Sequence, residues 1–76
     1  MKNYKVTGKF YLICLDNERI IDDAVFLNKI VESKNHKKAL DTAIEFMKEK
    51  LAKKFHYFGC SKMDLRQKSD VLVRVV

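Results

Sequence analysis

Six apolar side chains stand in an unbroken row at residues 10–15, FYLICL, in a chain of 76 residues. Side chains on a strand alternate between faces, so such a run asks for cover on both sides. A chain this short buries only about 60% of its unfolded surface and can build little more than one layer packed on another. The rest of the fold has to be arranged around this run.

Upstream the pattern is simpler. Even positions from 4 to 14 read Tyr4, Val6, Gly8, Phe10, Leu12, Cys14, and odd positions read Lys5, Thr7, Lys9, Tyr11, Ile13, Leu15. This alternation predicts a strand over residues 4–15 with its even face inward. The four residues DNER at 16–19 form a turn by residue type, because Asp and Asn hydrogen-bond their own backbone. The β-branched and aromatic AVFLNKIV stretch predicts a second strand over residues 20–33, and the short connection predicts an antiparallel hairpin.

The period then changes. Leu40, Ala43, Ile44, Met47, Leu51 and Phe55 recur at helical spacing behind Asn35, a good N-cap, while Asp41, Glu45 and Glu49 form an outer ridge. HYFGC ends this helix at or before Gly59, and SKMDLRQKSD reads either as a short edge strand through Met63 and Leu65 or as a loop. In the final DVLVRVV, Val71, Val73 and Val75 are expected to face inward and Leu72 and Arg74 outward. The expected fold class is α+β. It is a two-layer sandwich with one helix on one face of an antiparallel sheet of three or four strands, in the order β-β-α-β or β-β-α-β-β, forming one domain.

Chemistry has few places to converge. His36 and His56 stand at the two ends of the helix, about 30 Å apart at 1.5 Å per residue, too far to share a metal or a mechanism. Neighbouring Asp22 and Asp23 point to opposite faces of a strand. Thr7-Gly8-Lys9 lacks the upstream glycine and the downstream hydroxyl of a phosphate loop, so Gly8 reads as a bulge or a close contact. We therefore expect no enzyme activity, no metal and no cofactor. Cys14 and Cys60 form no CxxC motif. Two buried free thiols are the expected state, with a Cys14–Cys60 disulfide as the alternative. No stretch approaches the ~20 apolar residues of a membrane span, and no signal-peptide pattern opens the chain, so the expected location is cytoplasmic.

With a helix on one side, the other sheet face is left open. By alternation it carries Lys5, Lys9, Tyr11, Ile13, Leu72 and Arg74, in a chain of net charge +6. The charge is distributed as +3 over residues 1–15, −2 over 16–35, +3 over 36–56 and +2 over 57–76. Cations around an aromatic ring on an open sheet suit RNA or single-stranded DNA, with Lys5, Lys9 and Arg74 on phosphates and Tyr11 as a stacking surface. A second expectation is a small inhibitor of phage or mobile-element origin that covers a host protein machine with the same face, since exposed apolar patches mark interfaces. A homodimer is compatible with both. FYLICL itself allows three answers: a partner site, pairing with a copy of the chain, or a central strand with the C-terminal segment folded over it.

YKVTGKF at residues 4–10, followed by a second strand, a lysine-bearing helix and a final strand, resembles the archaeal ribosomal protein LX family. That resemblance implies a small RNA-binding domain of this element order. It carries no site residues across.

Overall fold

The computed structural model describes residues 1–55 and 60–76. Its elements are β1 (Lys2–Cys14), β2 (Arg19–Ser33), α1 (His36–Phe55), β3 (Met63–Gln67) and β4 (Leu72–Val75). Among the described residues all strand pairs are antiparallel and β1 is central, and these residues form an α+β sandwich of four strands and one helix. The 63–67 stretch is thus a strand, an assignment its short alternation alone does not separate from a loop.

β3 and β4 lie end to end along one edge of β1. Cys14 faces Met63 and Phe10 faces Gln67, then Thr7 faces Leu72 and Tyr4 faces Val75. They act as one interrupted third strand, held through the break by the Lys68 amide donating to the Lys9 carbonyl at 2.9 Å. Val71 turns over Gly8 at this interruption. A Cβ built on Gly8 would stand 2.9 Å from Val71 Cγ2, which makes Gly8 the close contact its place in a strand suggests.

β2 covers the other edge of β1. Its register is regular from Ser33 to Val25, then shifts twice, leaving extra β2 residues between Val25 and Ile20. Asp22 accepts a hydrogen bond from the Ala24 amide at 2.9 Å within this irregular stretch. At the hairpin end the Asn17 carboxamide accepts from the Arg19 amide, and Glu18 adopts a left-handed φ of 55°, as tight turns require.

The inward face is the even face of β1. Tyr4, Val6, Phe10 and Leu12 are buried with Val25, Leu27, Val31 and Leu65 beneath Ala39 and Ala43 of α1. Leu40, Ile44, Met47 and Leu51 pack around them, as helical spacing predicts; Ala39 is a contact that spacing leaves out. Burial of Phe10 or Leu12 contributes about 1.5–3 kcal/mol each. The Asn35 carboxamide accepts from the Lys38 amide at 2.9 Å, capping α1, and His36 meets Tyr4 edge to face with ring centroids 4.8 Å apart. Val71 and Val73 pack inward, whereas Val75, also expected inward, is half exposed at the sheet end. His56 and the helix end assigned to HYFGC fall at residues 56–59, outside the described residues.

The cysteines correct another expectation. Cys14 and Cys60 are joined in a disulfide with Cα atoms 5.8 Å apart, in place of two free thiols. A separation of 46 residues carries no distance information in sequence; the fold brings Cys60 to the end of β1, where the Leu15 amide donates to the Lys62 carbonyl.

FYLICL is therefore a central strand whose third neighbour lies beside it. Phe10 and Leu12 pack under α1, Cys14 is bonded to Cys60, and the C-terminal segment completes the edge instead of folding over the outer face.

Candidate nucleic-acid interface

Strand register fixes the outer face row by row. Lys5 lies between Arg74 and Ile30, Thr7 between Leu72 and Asn28, Lys9 beside Phe26, and Tyr11 beside Arg66. Two-residue steps separate the rows by about 7 Å along β1, and neighbouring strands stand about 4.8 Å apart. Lys5, Lys9, Tyr11, Leu72 and Arg74 thus share one surface, as alternation predicts.

Ile13 does not join them as a contact residue. It lies on the odd face beside Ile20 and Asp64, yet is only 3% exposed, so it offers a partner almost no surface. Alternation sets the direction of a side chain and says nothing of how neighbours close over it.

The face has residues that sequence reasoning missed. Phe26 (64% exposed), Asn28 and Ile30 (57% exposed) come from β2, whose register the sequence does not supply. Arg66 belongs to a strand that the sequence leaves open, and Lys68 follows directly after it. The alternation of Met63, Leu65 and Gln67 was the available signal for Arg66.

Cations and rings are interleaved. Lys9 Nζ lies 5.6 Å from the Phe26 ring centroid, and Lys68 Nζ lies 5.2 Å from that of Tyr11 while donating to the Asp23 carbonyl at 2.6 Å. An open depression of about 370 Å³ is lined by Thr7, Gly8 and Lys9 of β1, Phe26 of β2, Leu72 of β4 and Asp70 between β3 and β4. It gives a planar group an apolar resting place next to Lys9.

The opposite side differs. Lys48 of α1 pairs with Glu45 at 3.6 Å and with Asp64 at 3.4 Å, so its charge is engaged within the fold. Near the disulfide, Asp16 accepts hydrogen bonds from the Ser61 amide at 2.9 Å and the Ser61 hydroxyl at 2.8 Å. These bonds, the amide first, hold its carboxyl below the ordinary aspartate range, with a smaller contribution from Lys62. Cys14, Asp16 and Cys60 form the one grouping of metal-ligand residue types among the described residues, and both of its sulfurs are bonded to each other. Among the described residues no helix is long and apolar enough to cross a membrane.

No family model, curated protein or solved structure matches this chain. The resemblance to the ribosomal LX family rests on layout and the VTGKF residues alone.

Proposed function

We propose that this protein is a non-enzymatic binding protein whose outer sheet face holds single-stranded nucleic acid, RNA or DNA. One observation carries the reading: Tyr11 and Phe26 each stand within cation–π distance of a lysine on a face that α1 leaves uncovered. Bases stack on such rings without regard to sequence, and the rows of Lys5, Lys9, Arg66 and Arg74 suit a phosphate backbone running across the strands. On binding, Lys68 exchanges the Tyr11 ring for a phosphate and a base takes its place.

The reading keeps the protein in the cytoplasm, whose thiol pool opposes a Cys14–Cys60 bond. The rows from Lys5 to Tyr11 lie on β1, β2, β3 and β4 and include neither cysteine.

Ultraviolet cross-linking to a uridine-rich oligonucleotide, followed by peptide mapping, tests the proposal. Adducts on peptides containing Tyr11 or Phe26 are expected; adducts confined to peptides of α1 would overturn it.

A protein partner is the second reading, in the form of a phage or mobile-element inhibitor of a host machine. Exposure of Phe26, Ile30 and Leu72 on the same face favours it. Its signature is capture of a purified protein with nucleic acid digested away, lost on Leu72→Asp.

A further inference from the structure

β2 is hydrogen-bonded to β1 along one side, and among the described residues no strand pairs with its other side. A long strand with a free edge is a template for another strand unless irregularity, charge or cover blocks it. Here irregularity guards only one end: the two register shifts fall between Ile20 and Val25, and residues 25–33 run regularly.

Exposed apolar groups gather around that regular stretch on both sides of the sheet. Phe26 and Ile30 project from the outer face, and on the helix side Phe46 (44% exposed) lies against Lys29, whose Nζ is 4.0 Å from its ring centroid. The charge also differs from the rest of the molecule. In a chain of net charge +6, β2 carries Arg19 and Lys29 against Asp22, Asp23 and Glu32, a net −1. Two copies that meet along β2 therefore bring little net charge together, whereas the rest of each chain is strongly basic.

We infer that two copies of this chain pair through their β2 edges, antiparallel about a two-fold axis at Asn28, to make one continuous sheet. A two-fold axis normal to the sheet keeps each face on its own side, so outward residues meet outward residues. With the axis at Asn28, Phe26 of each copy faces Ile30 of the other, and Val25 faces Val31. Moving the axis one position breaks this match. At Lys29 it sets two lysines opposite each other, and at Leu27 it sets Phe26 against Asn28 and Ile30 against Ala24. Aromatic against β-branched pairs stabilise a sheet and like charges directly opposed destabilise it, which favours the Asn28 register over the two beside it. The pairing joins the two outer faces side by side and places Phe26, a stacking ring in the proposed function, at the seam.

The test uses the full chain with nucleic acid absent. Sedimentation over a concentration series is expected to show a monomer–dimer equilibrium, and Asn28→Lys, which faces two ammonium groups across the axis at an exposed position, is expected to leave a folded monomer. Asn28→Cys reads the register. Directly facing residues have Cα atoms about 4.5–5.5 Å apart, inside the range a disulfide accepts, so this variant should cross-link nearly completely under mild oxidation. Glu32→Cys, on the same edge but on the order of 25 Å from its counterpart in that register, should not. A wild-type monomer at millimolar concentration, a dimer unaffected by Asn28→Lys, or cross-linking through Glu32→Cys in preference to Asn28→Cys would each overturn the inference.

Discussion

Lys9 of β1 and Phe26 of β2 face each other across the sheet, with the lysine nitrogen 5.6 Å from the centre of the ring. A strongly hydrated ammonium and a phenylalanine 64% open to solvent are thus held together on the face opposite α1. Neither group is needed there by the core. Folding alone would be served as well by threonine at both positions, which is in keeping with the proposed recognition role of the pair.

The first expectation concerns the rings. Tyr11→Ala or Phe26→Ala should weaken single-strand binding by about 1–3 kcal/mol each. Charge reversal at Lys50, exposed on α1, should matter far less. Fluorescence anisotropy on the three variants measures this, and equal losses on both sides of the molecule would contradict the outer-face assignment.

Reduction should cost stability without removing the interface. The Cys14–Cys60 bond closes a loop of sequence separation 46, for which the chain-entropy account gives about 4 kcal/mol. Urea midpoints with and without reductant, and for Cys14→Ser with Cys60→Ser, report it. An unchanged midpoint would show that the bond contributes nothing.

Gly8→Ala should destabilise the fold by about 1–3 kcal/mol, because the added methyl meets Val71 Cγ2 at 2.9 Å. Combining it with Val71→Ala should recover part of the loss. Thermal melts of the single and double variants decide, and additive losses would mean that the two residues are not in contact.

Asp16 gives a pH dependence with a defined sign. Its carboxyl is held below the ordinary aspartate range by the Ser61 amide, then by the Ser61 hydroxyl. A depressed folded value means that the contribution is complete above the unfolded value and is lost as pH falls through the folded one. An NMR titration should place the Asp16 midpoint below that of an unstructured aspartate, and Ser61→Ala should raise it part of the way. A midpoint indifferent to Ser61→Ala would remove the hydroxyl from the account.

Much of this arrangement can be read in the residues, and the gaps have physical causes. Period-two alternation in β1 and 3.6-residue spacing in α1 are local signals, so the layers, the inward face and the Asn35 cap are legible. Lys5, Lys9, Tyr11, Leu72 and Arg74 follow from alternation alone. Phe26 and Ile30 do not, because their row depends on register, and the bulges between Val25 and Ile20 change which β2 residues face outward. Ile13 is closed off by neighbours that alternation cannot see. The Cys14–Cys60 bond depends on where the third strand begins, a tertiary fact.

The central claim is tested most directly by titrating labelled single- and double-stranded RNA and DNA with the wild-type protein at two salt concentrations. The account predicts binding with a preference for single strands, weakening with salt at a log–log slope of about −0.7 for each phosphate neutralised. No binding at low salt, or binding of equal strength by a Lys9→Glu, Arg66→Glu variant, would contradict it.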